Sequence, residues 1–195
     1  MYITRSLENT IIEMSSAFPV ILVSGPRQVG KTTMLRRLAE NNRKYVTLDN
    51  PIIRNLAISD PELFIQRYAP PVLIDEIQYA PELLPFIKIY VDEYKNKGDF
   101  WLTGSQMFHL MKNVSESLAG RVGVVNMLGL SYSEIISRIN QPFSTTLESL
   151  MSRKLIAEDV LSVYDRIFKG SMPSLYETPQ DVENYYASYV NTYLQ

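Results

Sequence analysis

The chain has 195 residues, enough for one substantial hydrophobic core and a smaller second unit. Its 19 basic and 21 acidic residues give a net charge of −2, which leaves no overall electrostatic footprint for nucleic acid. The absence of cysteine excludes disulfides, thiolate metal sites and cysteine nucleophiles, and the single histidine, His109, cannot build an imidazole metal centre.

No apolar run approaches the roughly 20 residues of a membrane helix, and residues 1–8 lack the charged-then-apolar layout of a signal peptide. The expectation is a soluble, cytoplasmic protein with no membrane partner. In chain order, residues 2–15 read as a lead-in helix with Ile3, Leu7, Ile11 and Met14 on one face, ending before Phe18-Pro19. Val20 to Ser24 is a β-branched, apolar strand. It delivers Gly25-Pro26-Arg27-Gln28-Val29-Gly30-Lys31-Thr32-Thr33, the spacing of a phosphate loop between a strand and a helix.

The chemistry explains the residue types. Backbone N–H groups must turn inward around phosphate oxygens, and Gly25 and Gly30 permit both the turn and the close approach. The following helix start adds open N–H groups and a partial positive charge. Lys31 adds a full charge for the β- and γ-phosphates, and the Thr32 hydroxyl suits Mg²⁺. A loop that merely turns is the bland reading, and the apolar stripe Met34, Leu35, Leu38 after it argues against that. Arg36, Arg37, Arg43 and Lys44 read as a solvated helix end matching its dipole.

Residues 45–48 form the second strand, broken by Asp49-Asn50-Pro51. Asp60-Pro61 opens a helix, since Asp caps free N–H groups and proline at the first helical position loses nothing. Val72-Leu73-Ile74-Asp75-Glu76 is an apolar run ending in two acids, a buried strand whose carboxyl end opens onto a site. Asp75 is assigned to Mg²⁺ and Glu76 to polarising the attacking water. A strand that merely ends in a polar loop explains one acid more easily than two.

From Pro81, Leu83, Leu84, Ile87, Tyr90, Val91 and Tyr94 make a helix stripe. Asn96-Lys97-Gly98-Asp99 matches a guanine-reading pattern but precedes a strand, where it reads as a helix end. Residues 100–103 are the next strand; Thr103, Ser105 and Gln106 at its end are γ-phosphate sensor candidates, although Ser and Gln also cap helices. Residues 122–128 form a fifth strand. Arg121 before it is a candidate for a γ-phosphate in its own subunit or a neighbour's, or else a surface arginine.

Ser131 and Glu134 form a capping box for a helix through Ile139. Residues 140–146 read as a linker, dividing a domain 1–140 from a helical appendage 141–195. The last helix, about 181–194, places Val182, Tyr185, Tyr186, Tyr189, Val190 and Tyr193 at helical spacing. Either it folds back on its own core or it mediates self-association.

The motifs at 25–33, 60–64, 74–78 with 80–84, 102–106 and 116–122 together resemble the predicted AAA+-class ATPases of bacteria and archaea. In these an N-terminal ATPase domain is usually followed by a C-terminal domain of unknown function. The resemblance covers most of residues 20–135 and strengthens Arg121 as a γ-phosphate sensor. Past residue 140 it thins, with Ser171 standing where the family usually has a glycine. It implies an intramolecular C-terminal partner beyond residue 195.

The expectation is therefore an α/β, three-layer P-loop NTPase of the additional-strand (RecA/AAA+-like) kind. Its mainly parallel sheet has five strands, with the Asp75 strand beside the Ser24 strand, and a C-terminal helical segment follows. Functionally it reads as an ATP- and Mg²⁺-dependent ATPase driving movement of a domain or partner. The alternatives are an ATP-binding switch or scaffold without turnover, or a small-molecule kinase, against which Glu76 argues.

Overall fold

Short apolar runs become one parallel sheet: β1 (Val20–Ser24), β2 (Lys44–Thr47), β3 (Val72–Asp75), β4 (Phe100–Gly104) and β5 (Val122–Asn126). The structure is a computed structural model and describes residues 2–40, 42–105, 112, 114, 116–138, 145–152 and 158–193. Strand order is β2-β3-β4-β1-β5. Burial explains which strands are central and which are edges. Every residue of β1, β3 and β4 is buried and these strands take the centre, while β2 and β5 keep exposed residues and take the edges.

This corrects one expectation. The Asp75 strand does not lie beside the Ser24 strand, because β4 stands between them and pairs with β1 on one side and β3 on the other. Phe100, Trp101 and Leu102 need cover on both faces. The neighbouring Thr103 hydroxyl also donates a hydrogen bond to the buried Asp75 carboxylate, which would otherwise be under-satisfied.

Helices cover both faces. Val20, Leu22, Val72, Ile74, Phe100 and Leu102 join Phe64 of α4 (Pro61–Arg67) and Leu83, Leu84 and Ile87 of α5 (Leu83–Tyr94) in one core. On the alternate face, α1 (Glu8–Ala17) sets Met14 close to Gly123, where an added Cβ would lie 2.7 Å from the Met14 methyl. The helix α2 (Lys31–Ala39) contributes buried Met34 and Leu35. One helix, α3 (Pro51–Ser59), replaces the simple break expected at Asp49-Asn50-Pro51. The Asn50 side chain accepts from the Ile52 N–H at 2.9 Å and Pro51 occupies the first turn, a start signal of the kind recognised at Asp60-Pro61.

The described chain divides into two compact units, Leu7–Leu128 and a second assembled from Met1–Ser6 with Gly129–Gln195. The division falls at Leu128, ahead of the boundary expected at 140; residues 139–144, Ile139 and most of the expected linker among them, lie outside the described residues. Glu134 organises the second unit. Its carboxylate accepts from the Ser6 N–H at 2.6 Å and the Ser131 N–H at 2.7 Å, and pairs with Arg5 Nε at 3.2 Å. Residues 2–7 are therefore not helical as expected, and α1 begins only at Glu8.

Burial raises the Glu134 pKa, but the Ser131 and Ser6 N–H groups and Arg5 outweigh it, so the net shift is downward. A depressed folded-state pKa contributes stability above the unfolded carboxylate value of about 4.3, and that stability is lost as pH falls through the folded value. Urea unfolding followed from about pH 6 to about pH 3 should show this loss, and Glu134→Gln should flatten that part of the profile.

The second unit contains α6 (Tyr132–Ile135), α7 (Leu147–Met151), α8 (Val160–Lys169), α9 (Ser174–Glu177) and α10 (Val182–Tyr193). The tyrosine stripe of α10 is partly used within this unit. The Tyr186 hydroxyl donates to the Lys169 carbonyl at 3.1 Å, and a Cβ on Gly170 would meet that hydroxyl at 2.1 Å. Strongly exposed apolar residues sit on α8, where Leu161, Tyr164, Ile167 and Phe168 are 60–75% exposed, and on α7, where Leu147 and Met151 are 73% and 77% exposed. No helix among the described residues is long and apolar enough to cross a membrane.

Candidate nucleotide site

The loop after β1 turns through conformations that favour glycine. Gly25 has φ +145°, and a Cβ there would lie 2.0 Å from the Met127 carbonyl oxygen, which is fixed because the Met127 N–H donates to the Ser24 carbonyl at 2.8 Å. Gly30, at φ +93°, stands at the start of α2 without a side-chain cap, so the first N–H groups of that helix remain available to an anion. Gly25→Ala should destabilise the domain by about 3 kcal/mol or more, as read by urea unfolding, since both space and φ oppose the methyl.

Lys31 is only 5% exposed, and its ammonium donates to the Gly25 carbonyl at 2.9 Å and the Pro26 carbonyl at 2.7 Å. Burial lowers its pKa, while Glu76 and then Asp75 push it back up. The loop thus folds around its own lysine, which neighbouring carboxylates help to keep charged. Val29 is buried, and Arg27, Gln28, Thr32 and Thr33 line a cleft of about 390 Å³ with Lys31 and Glu76.

Opposite the loop, Asp75 ends β3 and collects three hydroxyls. Thr32 Oγ1 donates to Oδ1 at 2.7 Å, Thr103 Oγ1 donates to the same oxygen, and Tyr45 Oη donates to Oδ2 at 3.1 Å. Burial and then Asp75 push the Tyr45 pKa up to about 12. Glu76 follows in the left-handed region at φ 58°, with its N–H donating to Thr103 Oγ1 at 3.1 Å. Ser105, expected to read the γ-phosphate, donates to Glu76 Oε2 at 3.2 Å. Gln106 lies outside the described residues.

Lys31, Thr32, Asp75 and Glu76 are therefore brought together, and Arg121 is not. Its backbone carbonyl accepts from the Val20 N–H, at the end of β1 where the strand starts, and its guanidinium holds Asp92 at 2.5 Å (Nε) and 2.9 Å (Nη2). The phosphate loop leaves the other end of β1, about 16 Å away for a strand of this length. The expectation that Arg121 acts on a γ-phosphate in its own chain is corrected, because the sheet separates the two ends. Sequence reading also missed Tyr45, Asp49 and Tyr79. Asp49 and Tyr79 line the cleft. No local motif marks these three; Tyr45 shows only once β2 is set beside β3.

A parallel sheet of this order, with a glycine-turned phosphate loop beside a strand ending in Asp-Glu, defines a P-loop nucleoside-triphosphatase domain. The chain belongs to the AAA domain family, whose model matches residues 17–136. It is 38% identical over 119 residues to two uncharacterized proteins, Rv2008c of Mycobacterium tuberculosis and Mb2031c of Mycobacterium bovis. That match covers 60% of this chain and 26% of each relative, so the chain spans about a quarter of their length.

Among solved structures, the fold is similar to AMPPCP-bound DnaA from Aquifex aeolicus, with a TM-score of 0.51 and 13% identity over 95% of this chain and 58% of that one. The Walker-type ATPase PABY2304 of Pyrococcus abyssi also matches, with a TM-score of 0.49 and 21% identity over 70% of this chain and 56% of that one.

Proposed function

We propose that the chain binds ATP with Mg²⁺, hydrolyses it slowly, and uses the cycle to move an attached domain or partner. One observation carries this reading: the Thr32 hydroxyl lies 2.7 Å from Asp75 on one side of a cleft that Lys31 and Glu76 also line. Phosphate charge, a hard cation and a general base all have groups of the right chemistry there.

The residues fit magnesium. Among the described residues no cluster of three His, Cys, Asp or Glu would hold a metal alone. One hydroxyl and one carboxylate suit Mg²⁺, which keeps several waters and takes further ligands from phosphate oxygens. Bound there with ATP, it would neutralise charge developing on the β- and γ-phosphates. Lys31 would hold the γ-phosphate, the α2 N-terminus the phosphate chain, and Glu76 would take a proton from the attacking water.

A switch or scaffold that binds ATP without turnover uses the same groups, and phosphate release separates the two. Release by the purified chain that stops on chelating Mg²⁺ supports the ATPase; tight binding with no release supports the switch. A small-molecule kinase is disfavoured, because a base beside the γ-phosphate would lose ATP to water. Arg121 keeps two readings, a surface arginine paired with Asp92 or approach to the γ-phosphate of a second copy, and self-association through α10 is proposed alongside the latter. A C-terminal region following this chain would be the moved element. The net charge of −2 does not support nucleic acid as the partner.

A further inference from the structure

The run Ile74 to Gln78 carries one polar residue that these roles leave unused. After Asp75 the backbone enters the left-handed region at Glu76 (φ 58°, ψ 48°), and a 3₁₀ turn over Ile77–Tyr79 follows, anchored by fully buried Ile77. This sharp reversal brings Gln78 back against the residue two before it. Gln78 Nε2 donates to Glu76 Oε2, and the same nitrogen lies 3.3 Å from Ser105 Oγ, which itself donates to Glu76 Oε2 at 3.2 Å. A carboxylate only accepts, so the amide must present its nitrogen to Glu76.

The Gln78 and Ser105 hydrogen bonds to the carboxylate both fall on Oε2, and Oε1 accepts no hydrogen bond among the described residues. We infer that Gln78 is the positioning residue for Glu76, pinning Oε2 so that Oε1 alone is presented to the attacking water. This rests on the proposed hydrolysis. In that step the water oxygen bonds to the γ-phosphorus, the bond to the bridging oxygen breaks with its electron pair leaving on ADP, and the water proton passes to Glu76 Oε1.

A second observation separates this from a turn-stabilising role. Gln78 Oε1 is buried with no partner among the described residues. An amide present to stabilise the turn would satisfy both ends, since a buried acceptor left open is costly. Here only the end that faces Glu76 is used. The left-handed Glu76 is likewise a conformation that fold stability does not favour and site geometry does.

The test measures Mg·ATP turnover and affinity for a non-hydrolysable ATP analogue in wild type, Gln78→Met, Glu76→Gln and the double variant. Methionine keeps the length of the side chain and removes the donor. Gln78→Met should lower turnover about 10- to 100-fold with analogue affinity within about twofold of wild type, and the double variant should be no slower than Glu76→Gln alone, because Gln78 acts through Glu76. Gln78→Asn, which keeps the amide but shortens its reach, should also be slow, and it serves if Gln78→Met fails to show a cooperative thermal transition. Wild-type-like turnover in Gln78→Met, or losses that multiply in the double variant, would overturn the inference and leave the ATPase reading intact. Absence of turnover in wild type would remove both.

Discussion

Lys31→Ala is expected to remove measurable binding of Mg·ATP at micromolar protein concentration. The ammonium is buried, it is held by the Gly25 and Pro26 carbonyls at 2.9 and 2.7 Å, and it sits in the field of Glu76 and Asp75. Phosphate oxygens would offer it full negative charge in place of carbonyl dipoles, and one charge-assisted hydrogen bond is worth about 1.5–3 kcal/mol, or roughly 10- to 150-fold in affinity. Alanine also leaves a hole in the loop where two carbonyls lose their donor, so the phosphate cradle loses shape as well as charge. Titration calorimetry with a non-hydrolysable analogue reads the change directly. Unchanged affinity would mean that the loop is a structural turn, and the nucleotide reading would fall with it.

Glu76→Gln should do the opposite, keeping ATP and losing its hydrolysis. Gln has nearly the same shape and its amide oxygen can still accept from Gln78 Nε2 and Ser105 Oγ, so the local geometry survives. What disappears is the capacity to take a proton, a contribution of about 10²–10⁴ in rate. The expected outcome is turnover at least about 100-fold below wild type with analogue affinity equal or tighter. Equal rates in both proteins, well above background, would refute water activation by Glu76.

Both predictions rest on residues whose roles follow from their immediate neighbours in the chain. Gly25, Gly30, Lys31 and Thr32 are dictated by short-range demands: a backbone with positive φ, a charge beside the loop, a hydroxyl at a helix start. Asp75 and Glu76 are legible because an uninterrupted apolar run can end in two acids only where a buried strand opens onto polar chemistry. The capping box at Ser131 and Glu134 is equally local, yet Glu134 also accepts from Ser6, a bond spanning 128 residues that no short stretch of sequence could reveal.

Strand number and strand identity follow from local apolar runs, and so do the phosphate loop, the acidic pair and the α/β class, because each depends on the residues within one turn or one strand. Strand order does not: burial separates central runs from edge runs, a comparison across the whole sheet, and the place of β4 between β1 and β3 is a through-space pairing. The same through-space arrangement puts Tyr45 on Asp75, Gln78 and Ser105 on Glu76, and Arg121 at the far end of β1 with Asp92. Side-chain partners of this kind are set by distances between elements far apart in the chain, where local propensity carries no information and packing decides.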